Sequence, residues 1–233
     1  MKREVIIACD FDDVEKLFDF LDLFKDRKPF VKIGMEIFYG NGPFIVREIK
    51  RRGHKIFLDL KLHDIPNTVY KSMCQLAELN VDMVNVHAAG SIAMMSAAAR
   101  ALKEKNSSAI LLAVTQLTST SERVMNEELW IDHSMVDTVR HYAHNALTAG
   151  CDGVVCSPLE APAVREECGD DFVTVTPGIR FADDDKGDQK RVTTPARARE
   201  LGSSYIVVGR SITASADPVA AYERACREFE EDQ

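Results

Sequence analysis

The sequence predicts an α/β protein that folds as a single-domain (β/α)8 TIM barrel. Short apolar runs alternate with longer amphipathic segments, and eight such pairs can be counted along the 233 residues. Strict alternation of strands and helices implies right-handed crossovers and a parallel sheet. The length is close to the ~250 residues of a typical closed barrel of this kind. Neither a low-complexity linker nor a second core is visible, so we expect one domain over residues 1–233.

Each strand is predicted from a short apolar run, and each helix from apolar residues that recur three or four positions apart. The predicted strands are residues 5–8, 30–33, 56–60, 83–86, 109–114, 153–156, 172–175 and 205–208. The predicted helices lie near residues 13–23, 42–52, 67–79, 91–105, 134–149, 159–168, 195–201 and 217–230. Pro66 suits the first turn of the third helix, with Asp64 or Ile65 just before it, because a proline lacks the N–H that would be unpaired there.

The third predicted strand carries charged residues toward its end. The apolar residues Ile56, Leu58, Leu60 and Leu62 alternate there with Phe57, Asp59, Lys61 and His63. This period of two is typical of a β-strand and places Asp59 and Lys61 on one face. Asp64 follows where the strand should end. In an arbitrary protein, such a pattern is more often a solvated ion pair at a strand end.

Ionisable or polar residues, and one glycine, lie at or just after the ends of most strands, third strand included, at the end of a barrel where active sites lie. These residues are Asp10, Lys32, Asp59, Lys61, His87, Thr118, Arg180, Gly209 and Arg210. A solvated rim is the alternative interpretation, but Lys32 lies between the apolar residues Val31 and Ile33. A buried lysine needs a carboxylate partner, and Asp59 on the neighbouring strand is the natural one. The sequence therefore predicts a row in which Asp59 lies between Lys32 and Lys61.

Two glycine-containing segments, residues 176–180 and 207–211, follow the seventh and eighth strands. Barrel enzymes often bind phosphate at this place with loop amides and a helix N-terminus. Gly209 permits close approach of the backbone, and Arg210 adds a charged fork. Residues 181–192 contain a run of acids without apolar periodicity, so we expect a surface loop there.

Composition excludes several classes of protein. A net charge of −8 disfavours general nucleic-acid binding, which needs a basic face. The six cysteines show neither zinc-site spacing nor a disulfide framework, so reduced thiols in the cytoplasm are expected. The N-terminus lacks the pattern of a signal peptide, and no apolar stretch approaches the ~20 residues that span a bilayer, so no membrane association is expected.

The segment 57–69, FLDLKLHDIPNTV, closely resembles the signature segment of the orotidine 5'-monophosphate decarboxylase family. Further similar segments follow in family order at residues 31–34, 85–90, 115–119, 176–180 and 208–212. The resemblance implies a cytoplasmic carboxy-lyase of pyrimidine biosynthesis that converts orotidine 5'-monophosphate (OMP) to UMP and CO2. It also implies a homodimer and a reaction that needs neither metal nor organic cofactor.

The resemblance further implies roles for particular residues. The catalytic residues are expected to be Lys61, Asp59, Lys32 and Asp64, with Asp64 supplied by the other subunit of the dimer. The substrate-binding residues are expected to be Asp10, Lys32, Asp59, Ile65, Thr68, Thr118, Pro177, Arg180, Gln189, Gly209 and Arg210. Arg180 and Gln189 would bind the phosphate, and the loop that holds Gln189 would close over the ligand and exclude water. The two histidines near the rim, His63 and His87, are interpreted as structural.

Two alternatives stay open. Barrels that resemble keto-gulonate-phosphate decarboxylase or hexulose-phosphate synthase share Asp-x-Lys-x-x-Asp but use it with Mg2+. The segments 63–68, 115–119 and 176–180 favour the nucleotide enzyme over these. A barrel that binds a phosphorylated ligand without catalysis is the alternative of a different class. The presence of Asp10, Lys32, Asp59, Lys61 and Asp64 together argues against that alternative.

Overall fold

The computed structural model describes residues 3–184 and 192–230, and its eight parallel strands close into a barrel in the order β1 to β8. Each strand pairs with the next along the chain, and β8 pairs with β1 through Glu4–Tyr205 to Ile7–Val208. The strands are β1 (Glu4–Ala8), β2 (Phe30–Gly34), β3 (Ile56–Leu62), β4 (Met83–His87), β5 (Ile110–Val114), β6 (Gly153–Val155), β7 (Val173–Ile179) and β8 (Tyr205–Val208). The predicted (β/α)8 barrel is confirmed.

The helices surround the barrel in chain order. They are α1 (Val14–Asp22), α2 (Met35–Asn41), α3 (Pro43–Arg51), α4 (Pro66–Ala77), α5 (Ser91–Glu104), α6 (Glu122–Glu127), α7 (Met135–Ala149), α8 (Ala161–Cys168), α9 (Pro195–Glu200), α10 (Arg210–Thr213) and α11 (Pro218–Glu230). Short 3-10 turns, Ala88–Gly90 and Pro158–Glu160, precede α5 and α8. No helix among the described residues is long and apolar enough to span a membrane.

Three helices were not predicted, namely α2, α6 and α10. They have seven, six and four residues, which is too short for an apolar repeat of 3.6 residues to be recognised. Pro66 is the first residue of α4 and Ile65 is its N-cap, so the predicted start of this helix is confirmed.

Seven of the eight predicted strands differ from the structure at one or both ends: β1, β2 and β4 are each one residue longer than predicted, and β8 matches at both ends. β3 continues to Leu62 and β7 runs from Val173 to Ile179, whereas ends at residues 60 and 175 were expected. Both strands contain an irregularity in their pairing, between Leu58 and Leu62 and between Thr176 and Ile179, beyond which pairing resumes. A bulge of this kind hides the continuation of a strand from a simple alternation rule. β5 begins one residue later and β6 ends one residue earlier than predicted.

The barrel interior has an apolar floor below a polar layer. The inner cluster consists of Ile6, Ala8, Phe30, Phe57, Met83, Leu112, Val175 and Val207. Side chains two residues apart on a strand point the same way. Lys32, Asp59 and Asn85 lie two residues after Phe30, Phe57 and Met83, so they form the next layer toward the carboxyl ends of β2, β3 and β4.

Candidate active site

The predicted row of alternating charges is present at the carboxyl ends of β2 and β3. Lys61 Nζ lies 2.7 Å from Asp59 Oδ1, and Lys32 Nζ lies 3.4 Å from Asp59 Oδ2. Lys32 Nζ also donates to Asp10 Oδ1, at 2.8 Å. The side chains of Lys32 and Asp59 are only 12% and 11% exposed. The structure thus joins four residues, Asp10, Lys32, Asp59 and Lys61, into one network, with Asp10 as its exposed end.

Opposite charges hold this network ionised against the cost of burial. Burial acts to raise the pKa of Asp59, but the nearby charges of Lys32 and Lys61 outweigh it and bring that pKa below its usual value. Burial acts to lower the pKa of Lys32, but Asp59 and Asp10 outweigh it and leave that pKa above its usual value. At neutral pH Asp59 is therefore a carboxylate and Lys32 is an ammonium group.

A cavity of about 220 Å³ opens beside this row. Lys32, Asp59 and Lys61 form one wall of the cavity, and Phe57 and Val207 lie at its apolar base. The rest of the lining comes from Val114, Gln116, Leu117, Thr118, Ser119, Val155, Cys156 and Pro177. Two predicted substrate-binding residues, Thr118 and Pro177, thus share one cavity with the charged row. The cavity combines an apolar base with fixed charges, which suits an aromatic ring that bears a reacting anionic group.

Two residues that sequence reasoning did not single out shape the row. Gly34 follows Lys32 on β2, and a Cβ atom added there would lie 3.2 Å from Asp10 Oδ1 and 3.4 Å from Lys32 Nζ. Because Gly34 has no side chain, it leaves space for the contact between Asp10 and Lys32. Asn85 on β4 is 1% exposed, and its Nδ2 donates to Asp59 Oδ1 at 2.7 Å. A buried polar residue in an otherwise apolar strand was the available signal for Asn85.

The predicted phosphate-binding residues cluster around the ends of β7 and β8. Arg180 directly follows β7, is 9% exposed, and donates from Nη1 to the carbonyl oxygen of Ile179 at 3.1 Å. Gly209 directly follows β8 and is the N-cap of α10, whose first residue is the exposed Arg210. Arg210 lines a separate open hollow together with Asp184 and Arg224, outside the 220 Å³ cavity. The predicted ligand Gln189 lies outside the described residues.

Asp64, Ile65 and Thr68 form none of the contacts that join the charged row. All three are exposed, and Asp64 Oδ1 accepts a hydrogen bond from the backbone N–H of Ile65 at 2.7 Å. In the described part of the chain, Asp64 forms no ion pair with Lys32 or Lys61. The chain by itself therefore brings together three of the four predicted catalytic residues.

The two histidines near the rim contact each other. The ring centroids of His63 and His87 are 5.6 Å apart. Burial lowers the pKa of His87, and the nearby Lys61 acts in the same direction, so the ring of His87 is neutral at physiological pH. No group of three or more histidine, cysteine, aspartate or glutamate side chains that could hold a metal ion occurs in residues 3–184 and 192–230.

The fold and the site together define a (β/α)8-barrel enzyme whose carboxyl end bears a buried lysine–aspartate–lysine row. The model of the Orotidine 5'-phosphate decarboxylase / HUMPS family matches residues 3–225. The chain belongs to this family.

Individual relatives are similar to this chain over nearly its full length. Proteins named orotidine 5'-phosphate decarboxylase from Bacillus cytotoxicus and Bacillus cereus are each 55% identical over 99% of this chain and 98% of their own length. The crystal structure of orotidine 5'-phosphate decarboxylase from Lactobacillus acidophilus is similar with a TM-score of 0.89 at 44% identity, covering 99% of this chain and 100% of that one. An uncharacterized conserved protein from Geobacillus kaustophilus has a TM-score of 0.86 at 47% identity, over 97% and 99% of the two chains.

Proposed function

We propose that this protein is a carboxy-lyase that converts OMP to UMP and CO2, without a cofactor, in pyrimidine biosynthesis. The single observation that carries the proposal is the amine of Lys61, fixed 2.7 Å from the buried carboxylate of Asp59 at the wall of the cavity. The names and the full-length similarity of the Bacillus relatives support this substrate.

Lys61 is the residue that would stabilise and then protonate the reacting carbon. Loss of CO2 leaves an electron pair on C6 of the pyrimidine ring, where no adjacent π-system can delocalise it. A cation fixed beside C6 stabilises that charge as it develops, with little reorganisation during the reaction. The bond between C6 and the carboxylate carbon breaks, the electron pair stays on C6, and Nζ of Lys61 then donates a proton to C6. Solvent returns a proton to the amine.

Asp59 and Lys32 hold Lys61 in place and bind the substrate. Asp59 accepts from Lys61 and pairs with Lys32, so the two amines are held on either side of one carboxylate. Asp59 faces the cavity, where it would lie close to the substrate carboxylate. Asp10 and Lys32 form the hydrogen-bonded end of the network, and we infer that they bind the ribose hydroxyls.

The remaining substrate contacts are assigned by position. Thr118 lines the cavity and would contact the edge of the pyrimidine. Pro177 also lines this cavity and lies in β7, three residues before Arg180. Arg180, Gly209 and Arg210, at the ends of β7 and β8, would bind the phosphate together with Gln189. Binding energy from the phosphate would then help to close the loop that holds Gln189 over the substrate.

We also propose that the working unit is a homodimer in which Asp64 completes the partner's charged row. Asp64 is exposed and lies outside its own row, next to Ile65, which is 67% exposed. Tyr39 in α2 and Ile92 in α5 are also exposed. These apolar residues follow three consecutive strands, β2, β3 and β4, and such a group at one end of a barrel suits a subunit interface. Ile65 and Thr68, in the same exposed segment as Asp64, would bind the substrate.

We further infer that the protein works in the cytoplasm. All six cysteines are free thiols, and five of them are buried. Free buried thiols are typical of a reducing compartment.

The proposal is tested by mixing the purified protein with OMP and following the loss of orotate ultraviolet absorbance. We expect full turnover after treatment with EDTA. Activity that EDTA abolishes and Mg2+ restores would favour the sugar-phosphate enzymes of the same barrel superfamily. Binding of OMP without any loss of absorbance would favour a non-catalytic ligand-binding barrel.

A further inference from the structure

The pairing of β3 with β4 is broken beside Lys61. Leu58 pairs with Val84 and Leu62 pairs with Val86, so four steps along β3 correspond to two steps along β4. Lys61 lies within the extra length and has a φ of +52°. A left-handed backbone is unfavourable for a residue with a side chain, because its Cβ lies too close to the following carbonyl oxygen. Such a conformation persists only where the surrounding structure holds it.

The side chain of Asn85 on β4 lies opposite this break and forms hydrogen bonds with both Lys61 and Asp59. Its Oδ1 accepts a hydrogen bond from the backbone N–H of Lys61 at 2.8 Å. Its Nδ2 donates to Oδ1 of Asp59 at 2.7 Å. The same oxygen of Asp59 accepts from Nζ of Lys61, also at 2.7 Å. One buried carboxamide is thus bonded to the backbone of Lys61 and to the carboxylate that holds its amine.

The chemistry of the two partners explains why a carboxamide occupies this position. The backbone N–H of Lys61 can only donate, and the ionised carboxylate of Asp59 can only accept. The position therefore needs one acceptor and one donor on a single rigid group, and an uncharged carboxamide provides both. A carboxylate at residue 85 would lack the donor unless it were protonated, and an aliphatic side chain would lack both groups.

We propose that Asn85 is a positioning residue that fixes the left-handed backbone of Lys61, and with it the direction of the Lys61 amine. This inference rests on the proposed function, since it concerns the same reaction. Asn85 acts through Lys61 and Asp59, and the residues that line the 220 Å³ cavity do not include it. Its effect should therefore fall on the chemical step more than on substrate binding.

Two substitutions separate this role from general support of the fold. Asn85→Leu keeps the branched shape of the side chain, although leucine is larger, and it removes both hydrogen bonds. We expect kcat to fall by about 100-fold, the loss expected from a misplacement of the reacting group by about 1 Å, with a much smaller change in KM. Asn85→Asp keeps the acceptor for Lys61 and can donate to Asp59 only while its own carboxyl is protonated.

The Asn85→Asp variant therefore carries a distinct pH dependence. Burial and the neighbouring carboxylate of Asp59 would raise the pKa of an aspartate at residue 85. Its useful form is the protonated one, so kcat should rise toward the wild-type value as the pH falls and drop as the pH rises through that pKa. The wild-type carboxamide does not titrate and should show no such change over the same range.

A buried threonine away from the site provides the matched control. Thr174 on β7 is 3% exposed, and its Oγ1 accepts from the backbone N–H of Ser204 at 3.1 Å. Thr174→Val also removes a buried hydrogen bond, so it should lower the free energy of unfolding but leave kcat and its pH profile unchanged. If Asn85→Leu does not fold, the pH profile of Asn85→Asp decides the question.

The outcomes distinguish this inference from the proposed function. If the wild-type protein does not decarboxylate OMP, the proposed function fails. If the wild type turns over and both Asn85 variants keep its kcat, only the positioning role is overturned. A loss of kcat in Asn85→Asp that is the same at every pH would also overturn the positioning role. Such a loss would not depend on whether the carboxyl at residue 85 is protonated and can donate a hydrogen bond to Asp59.

Discussion

Asp59 is the residue on which the ionisation of the site depends, and its lowered pKa makes the stability of the protein depend on pH. A carboxylate with a lowered pKa in the folded state contributes stability that is complete above its unfolded pKa, about 3.9, and is lost as the pH falls toward the folded value. We expect Asp59→Asn to reduce the free energy of unfolding at pH 7 by about 3 kcal/mol, the lower end for breaking a buried ion pair. Denaturant unfolding at several pH values measures this difference.

The difference between wild type and Asp59→Asn should shrink as the pH is lowered from 5 toward the folded-state pKa. Asp12→Asn is the control, because Asp12 forms a surface ion pair with Lys16 in which both side chains are more than half exposed. A constant difference between wild type and Asp59→Asn at all pH values would mean that the charge of Asp59 does not stabilise the fold.

Gly34 allows a second prediction for a single residue. A Cβ at this position would press on Asp10 and Lys32, so Gly34→Ala should displace their contact by a few tenths of an ångström. We expect kcat/KM for OMP to fall, by less than the ~100-fold that a 1 Å misplacement can cost. Gly40→Ala is the matched control, since nothing lies within 4 Å of the added Cβ. Equal kcat/KM values for Gly34→Ala and Gly40→Ala would show that the absence of a side chain at residue 34 does not matter for the reaction.

At the scale of the elements, the sequence predicted the order of strands and helices but not the irregularities of β3 and β7. Alternation of apolar and charged residues placed Asp59 and Lys61 on one face, and their side chains do meet at 2.7 Å. The alternation rule assumes continuous pairing, so it could not predict the positive φ of Lys61 or the role of Asn85. In β7, Pro177 and Gly178 indicated a loop, whereas the strand continues past them to Ile179.

The loops after β7 and β8 lead to a prediction about the phosphate. Removing the charged side chain of Arg210 should weaken capture of OMP but not of orotidine, which has the same ring and ribose without the phosphate. Because a hydrogen bond to a charged group contributes about 1.5–3 kcal/mol, Arg210→Ala should lower kcat/KM for OMP by about 10- to 100-fold. Gln189→Ala should likewise lower kcat/KM for OMP more than kcat/KM for orotidine.

The comparison of the two substrates decides whether these residues bind phosphate. Arg123→Ala is the control, because Arg123 in α6 is an exposed arginine paired with Glu127. Equal losses with OMP and orotidine would remove Arg210 and Gln189 from the phosphate site.

At the scale of the whole molecule, one chain contains only part of the predicted site. The resemblance assigned Asp64 to the partner's site, which stays a prediction; among the described residues the ion pairs of Lys32, Asp59 and Lys61 do not include Asp64. The partner contact itself could not be derived from spacing along one sequence, because it depends on how two surfaces meet. Its test needs two different subunits in one dimer.

Mixing two inactive variants tests the shared site. Lys61→Ala and Asp64→Asn homodimers should both be nearly inactive. In a mixed dimer of a symmetric two-fold pair, one site carries both defects, and the other has Lys61 from one chain and Asp64 from its partner. Random re-pairing of equal amounts makes about half the dimers mixed, so about a quarter of the wild-type activity should return. If subunit exchange is verified with a tagged chain and no activity returns, Asp64 does not act across subunits.

The proposed role of Lys61 is to stabilise a carbanion at C6 and then to protonate it. If so, the same site must run the final proton transfer in reverse with the product. The most direct measurement is the exchange of the C6 hydrogen of UMP for deuterium in D2O, followed by nuclear magnetic resonance. The wild-type protein should accelerate this exchange, the exposed control Lys103→Ala should match it, and Lys61→Ala should fall to the uncatalysed rate. Exchange that is absent from the wild type, or equally fast in Lys61→Ala, would contradict the role assigned to Lys61.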